Sequence, residues 1–478
     1  MIIVSDKRTA DSLAARATGT SESVFIEKDD DTALRRLLTE CDSYILEEHQ
    51  GRRMECILIL SNATSLWALQ THGFPSGVIQ KADILATTPA DLIAKSLLVH
   101  LPGQQHPYPS LAHAPIGRQS NTTVHLVIFG AGDVAEALAI NTALTAHYPN
   151  YCRDTRLRTR ITVIDNFIQQ LLEQMELRYP HLLEHSWWRT LNLNVENPQC
   201  HTHPPLYEGS RKDFVDVEWE FVEASATNIA VRQKLTEWAS SETQHLTIAL
   251  CDDDTQMNTA SALTLPEDLH RNNIPILCHT EERHLLDIVG TPNIHPFSTQ
   301  DCGIETLRTL YEMAKRVHYV YSHCFQLSPD APITPPIDID TEKLEQQWCQ
   351  VDSFTKQCSN IFSAMTLGTK MHSVGISPEE WKEYYALTRT NIETLSEVEH
   401  NRWCVEELIL GYRPPTPEEN EQIEADITLK KTMRKHKIHY DLRAFDDLRA
   451  DATGKNVNVY DYALTQAIPL ILKKCTTA

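Results

Sequence analysis

The chain has 478 residues, 41% hydrophobic and 23% charged, a balance that excludes disorder and leaves room for about three globular domains. Its net charge of −22 disfavours a general grip on nucleic acid or an anionic membrane surface, the basic run Leu429–Lys435 being a local exception. No apolar run of ~18 residues offers a membrane span, Met1–Asp6 reads as a strand and not a signal peptide, and twelve cysteines without a Cys-x-x-Cys pair suit reduced thiols, so a cytoplasmic protein is expected.

Alternating strand and helix patterns over residues 1–115 predict a small parallel α/β unit. Strands are expected at Met1–Ser5, Ser23–Ile26, Asp42–Leu46 and Cys56–Leu60, and helices at Thr9–Ala17, Asp31–Glu40 and Pro89–Leu98. No glycine pair for a phosphate appears, so the unit reads as a degenerate Rossmann-like domain with a packing or partner role. A proline-rich polar linker, Leu101–Ser120, follows.

The second unit, 121–300, opens on the strongest signal. Val124–Phe129 is a β-branched apolar run, then comes Gly130-Ala131-Gly132-Asp133-Val134-Ala135, then an alanine-rich helical pattern to Ile140. This is the strand–turn–helix setting of a dinucleotide fingerprint. Gly130 permits the tight turn, Gly132 admits a pyrophosphate, and Ala135 allows close helix–strand packing. The helix start offers free N–H groups to phosphate. Glycine is scarce, 15 residues in 478, so this pair stands out.

After a polar insertion, Pro149–Thr159, the next strand, Ile161–Ile164, ends at Asp165 and Asn166. An acidic residue there accepts hydrogen bonds from a ribose and disfavours a 2′-phosphate. It comes later than the usual ~20 residues, and the insertion accounts for the delay. Ile168–Tyr179 is helical, and His181–Ser210 reads as irregular. Further strands are Val217–Val222, Leu246–Leu250 and Ile274–Cys278. Polar residues gather at their carboxyl ends, where open α/β sheets bind ligands. Asp252-Asp253-Asp254 reads as a solvated helix cap in preference to a Mg²⁺ site. Cys200-His201-Thr202-His203 reads as loop in preference to zinc.

This series resembles the TrkA-N domain, the nucleotide-binding half of the RCK regulators of potassium channels and transporters. The resemblance covers about 170 residues of this chain. It implies NAD(H) or another adenine nucleotide held by Gly130–Ala135, Asp165 and Asn166, Ser225 and Ala226, and Cys251, Asp252, Asp253 and Asn258. Ser225 stands where the family has aspartate. No RCK C-terminal ligand domain or membrane segment follows, so channel gating in cis is not expected.

Residues 301–375 read as a helical connector with Trp348, Phe354, Ile361 and Phe362 in its core, interrupted by the proline-rich stretch Leu327–Ile339. Residues 376–478 begin with a helix start at Ser377-Pro378-Glu379-Glu380. They carry His400-Asn401-Arg402-Trp403 on a long helix stopped by Gly411-Tyr412, then His436–Leu448 and a terminal Ile468-Pro469. These motifs resemble the RyR domain, the repeat named from ryanodine receptors and also found in soluble bacterial proteins. Tyr460-Asp461-Tyr462 stands where that family has Asp-Arg. Such units occur as modules, so this one is expected to be separable. His400, Arg402, Trp403, Arg413 and Tyr440 are its ligand candidates, since arginine and aromatics suit phosphate and base.

The expected fold is therefore α/β, two Rossmann-like parallel sheets followed by a mainly helical connector and RyR-like unit. The expected function is a soluble nucleotide sensor that binds NAD(H) or another adenine nucleotide in 121–300 and a second nucleotide-type ligand or a protein partner in 376–478. A homodimer is compatible with this reading. The alternatives are an NAD-dependent oxidoreductase with His279 or His295 as acid–base group, a nucleotide-processing enzyme, an accessory regulator of potassium transport, or an adaptor with empty Rossmann units.

Overall fold

The computed structural model describes residues 1–6, 23–49, 51–103, 106–207, 213–301, 303–323, 339–448 and 457–473. The helix expected at Thr9–Ala17 lies outside them. The chain folds as a mixed α/β protein with predominantly parallel sheets.

The first sheet holds β1 (Ile2–Val4), β2 (Val24–Ile26), β3 (Met54–Ile59) and β4 (Ala82–Thr87) in the order β2-β1-β3-β4, all parallel. Helices α1 (Ala63–His72) and α2 (Pro89–Leu98) belong to this unit. Asp42–Leu46 is not a strand. A single helix runs over Asp30–Ser43, started by the Asp29 side chain on Thr32 N and buried along Ala33, Leu37 and Cys41. Strand β4 escaped the sequence reading because alanine and aspartate are weak strand formers, and its burial decides the matter.

The second sheet has eight strands, in the order β12-β11-β10-β5-β6-β9-β7-β8. Here β5 is Thr123–Phe129, β6 Thr159–Asp165, β7 Trp187–Asn192, β8 Cys200–His203, β9 Val217–Glu223, β10 Gln244–Leu250, β11 Ile276–His279 and β12 Ile294–Phe297. The six from β9 to β12 are parallel and follow the 3-2-1-4-5-6 order of doubly wound dinucleotide-binding sheets. The stretch read as irregular, His181–Ser210, instead supplies a short helix (Pro180–His185) and the hairpin β7–β8 that extends the sheet past β9. Helix α3 (Asp133–Thr145) follows β5.

Register aligns the strand ends. Phe129 pairs with Leu250 and Ile164, and Asp165 pairs with Glu223. Gly130, Asp165, Ala224 and Cys251 therefore share one edge of the sheet, at the switch point between β5 and β10.

The rest is helical. Helix α4 (Ile304–Ser322) packs on α5 (Phe354–Met365) and on α8 (Val459–Leu472). Between α5 and α8 lie α6 (Arg389–Ile409) and the short α7 (Leu429–Arg434). The Thr388 hydroxyl and Asn391 form a capping box that starts α6, and Gly411, at φ +82°, lies just beyond its end. One continuous apolar core runs from Ile2 to Leu472. The C-terminal unit is accordingly not set apart: Arg316 of α4 donates to Ile471 O of α8, and Ser363 of α5 donates to Glu399 of α6. Among the described residues no helix is long and apolar enough to cross a membrane.

Candidate functional site

The Gly130–Ala135 segment forms the tight turn that joins β5 to α3. Gly130, at φ +112°, takes a conformation L side chains rarely adopt, and a Cβ there would lie 2.7 Å from Cys251 O. The backbone crossing between β5 and β10 thus requires glycine. Gly130 N donates to Ile164 O, and Cys251 N donates to Phe129 O. Gly132 precedes α3 and gives it no side-chain cap. The first-turn N–H groups at Asp133, Val134 and Ala135 have no intrahelical partner. Ala135 is buried, Ala131 and Val134 are half-buried, and Asp133 is exposed.

What surrounds this turn is acidic. A Cβ on Gly132 would sit 2.5 Å from Asp253 Oδ1. Asp165 accepts a 2.6 Å bond from Phe167 N, but burial, Asp252 and Asp253 together push its carboxyl above the ordinary range. Partial burial and Asp253 push Asp133 up as well. Asn258 is fully used as a staple: its side chain bonds both backbone groups of Asp252 and the carbonyl of His279. Asp254 caps the next helix through Gln256 N and Met257 N. Ser225 bonds Thr227 and Asn166 accepts from Asn194, while Ala226 is half-buried and the Cys251 thiol is sealed in the core. The residues left open at this edge of the sheet are therefore Ala131–Asp133, Asp165, Asp252 and Asp253, while Gly130 is buried against Cys251.

The C-terminal candidates divide. A cavity of about 1140 Å³ lies between α4 and α5 on one side and the C-terminal unit on the other. That is large enough for a dinucleotide-sized ligand. His400, Trp403 and Tyr440 line it. Arg402 and Arg413 do not. Arg402 is fully buried, with its guanidinium on Glu399 (2.9 Å) and Glu406, and Lys370 pairs with the same Glu399. Arg413 is held by Glu419 through two parallel bonds of 2.6 and 2.8 Å. Adjacent helix positions point about 100° apart, so Trp403 and Arg402 cannot both face the cavity.

The cationic rim comes from α7. Lys430, Lys431 and Arg434 line the cavity. Lys430 is paired with Asp441 at 2.7 Å. Lys431 and Arg434 are exposed, and among the described residues no carboxylate lies within ion-pair distance of either. The walls are aromatic: Trp403 meets the His439 ring at 4.8 Å, Lys437 sits 4.2 Å over Tyr412, and Arg443 lies 4.0 Å over Tyr440. His400 donates to Arg443 O at 2.8 Å and faces Asp461 at 3.6 Å. Burial opposes its charge, but Cys404 and Asp461 outweigh that and raise it well above the ordinary imidazole range. His439 goes the other way, kept neutral by burial and the nearby Arg434 and Lys430.

No family model, curated protein or solved structure matches this chain.

The α7 cations were visible in the sequence as a basic run, and nothing local tied that run to the His-Asn-x-Trp helix. The remaining candidates are scattered. His279 ends β11 with its ring stacked 5.3 Å from Phe297, and His295 lies within β12, both lowered by burial. Cys200–His203 forms the exposed edge strand β8, where His203 stacks on Trp188. Among the described residues no cluster of three or more His, Cys, Asp or Glu is placed to hold a metal ion.

Proposed function

We propose that this protein is a nucleotide-binding sensor with two sites. The TrkA-N-like unit takes NAD(H) or another adenine nucleotide at the Gly130–Ala135 turn, and the RyR-like unit takes a second nucleotide-type ligand in the large cavity. The cavity carries the reading. It combines aromatic walls, suited to a base, with the cationic Lys431 and Arg434, which lack carboxylate partners among the described residues and suit phosphate.

A sensor needs its sites joined, and the packing supports a connection. Helix α6 lines the cavity and also packs against α3, the helix of the fingerprint. Helix α5 lines the cavity through Lys356, Ser359 and Asn360. It also touches the N-terminal unit, where Phe354 meets Phe74 edge to face and Thr355 donates to Gln70 O.

The test is the purified full chain, heat-denatured, with the released small molecules identified by mass spectrometry and a nucleotide panel then run by thermal shift. Co-purified nucleotide, or a shift with NAD(H), ADP or an ADP-ribose-type ligand, supports the reading. Turnover of NADH moves the protein to the oxidoreductase class. Absence of both release and shift leaves the sensor reading without support.

A further inference from the structure

Helix α6 and its C-cap turn the stripe His400, Trp403, Glu407 and Leu410 toward the cavity, at the spacing of one helical face. Glu407 is the anomaly in that stripe. It is only 4% exposed, and its Oε2 has no hydrogen-bond partner among the described residues. Two other buried carboxylates of the same helix, Glu399 and Glu406, have Arg402 as an ion-pair partner, although Glu406 Oε1 is also without a hydrogen bond, whereas among the described residues no cation lies within ion-pair distance of Glu407. Leaving a buried carboxyl unsatisfied opposes folding, and burial pushes Glu407 up to about 7. An acceptor held this way, in a cavity with cations at its rim, is matched by a donor that arrives with a ligand.

The geometry narrows the donor. Trp403 lies one turn before Glu407 on the same face, and residues four apart have Cβ atoms about 5–6 Å from each other. A base stacked on Trp403 sets its ribose beside the next turn, at Glu407, and the two hydroxyls of the ribose suit one carboxylate. The phosphates then continue toward Arg434, whose charge acts on Glu407 from α7, and toward Lys431. We propose that Glu407 is the specificity-determining residue of the cavity and takes the 2′- and 3′-hydroxyls of a ribonucleotide whose base lies on Trp403. This rests on the nucleotide reading of the cavity and adds which sugar is accepted.

The experiment uses the full chain and a readout local to the cavity. The protein is photolabelled with 8-azido-ADP and 8-azido-GDP, and labelled peptides are mapped by mass spectrometry. Competition is measured with ADP or GDP and with the matching 2′,3′-dideoxynucleotide. Label is expected on peptides carrying Trp403, Tyr412 or Tyr440. The dideoxy competitor should be needed at about 10-fold higher concentration or more, the effect of losing hydrogen bonds to a charged group. Glu407→Gln should shrink that preference, with ADP or GDP competing more weakly than in the parent and closer to the dideoxynucleotide. Equal competition by ribo- and dideoxynucleotides in the parent overturns the role of Glu407 and leaves the cavity a nucleotide site. Failure of either probe to label those peptides overturns both. The parent comparison needs no variant, so a folding defect in Glu407→Gln does not blunt the test.

Discussion

The Asp253 carboxylate packs directly over Gly132, its Oδ1 2.5 Å from where a Cβ on that glycine would stand. The first turn of α3, where the proposed nucleotide would bring its phosphates, is thus bordered by a carboxylate, with Asp133, Asp165 and Asp252 nearby. Asp253→Asn is expected to tighten NAD(H) or ADP binding several-fold, because removing one like charge near a phosphate is worth about 1 kcal/mol. Calorimetric titration of parent and variant checks this; unchanged or weaker binding removes Asp253 from the ligand's neighbourhood.

Gly132→Val should do the opposite. The branched side chain displaces Asp253 and fills the approach to the first turn of α3. Binding of NAD(H), ADP and ATP should fall by at least tenfold with little change in melting temperature, since the clash is with the tip of a mobile side chain. Parent-like affinity in a folded variant places the nucleotide elsewhere.

Asp165 ends β6 beside the turn and should favour a free 2′-hydroxyl. A carboxylate facing a 2′-phosphate costs several kcal/mol, so NADP(H) is expected to bind at least 100-fold more weakly than NAD(H). Equal affinities in the same titration contradict this placement.

The two arginines outside the cavity should behave as parts of the fold. Arg402→Ala takes from buried Glu406 its ion-pair partner and leaves Glu399 only Lys370 and Ser363, and is expected to cost about 3–5 kcal/mol. Lys431→Ala and Arg434→Ala touch exposed side chains and should leave the melting temperature within a degree or two. Each should still weaken a phosphate-bearing ligand of the cavity by about 1–3 kcal/mol. Melting curves with and without ligand separate the two behaviours.

Glu407 gives a pH signature. Burial is the main cause of its raised value, Glu406 adds to it, and Arg434, Lys437 and Arg402 oppose it. Its folded value is about 7 against an ordinary 4.5. The folded state therefore holds a proton that the unfolded chain has released. The associated stability is present below pH ~4.5 and is lost as pH rises toward 7, by about 3 kcal/mol in all. Glu407→Gln should raise the melting temperature at pH 8 and change it little at pH 5. Equal effects at both values show a Glu407 with an unperturbed carboxyl.

The sheets were legible where burial is symmetrical. β5, β6, β9 and β10 carry apolar runs because both faces are covered, and such runs announce themselves. β7 and β8 did not, because Trp187–Asn192 is half-exposed and Cys200–His203 fully so, which leaves no apolar period to read. The site divided in the same way. Gly130 and Asp165 are fixed by local strand–turn–helix grammar. Glu407, Lys431 and Arg434 are brought to one cavity by the tertiary fold, from helices about 25 residues apart, and no local rule pairs them. Arg402 was misplaced for the complementary reason: a charged residue beside a tryptophan suggests a ligand, yet the helix turns it inward to two carboxylates.

Helix α6 spans 21 residues, about 32 Å of rod at 1.5 Å per residue, with the fingerprint helix along one flank and the cavity along another. Such a rod does not bend cheaply, so a tilt imposed at one flank is delivered to the other. Linkage then fixes a symmetry: whatever factor a cavity ligand applies to nucleotide affinity at Gly130–Ala135, that nucleotide applies the same factor to the cavity ligand. Under the proposed two-site function neither site is upstream of the other, and which one reports and which one responds is set by the concentrations of the two ligands.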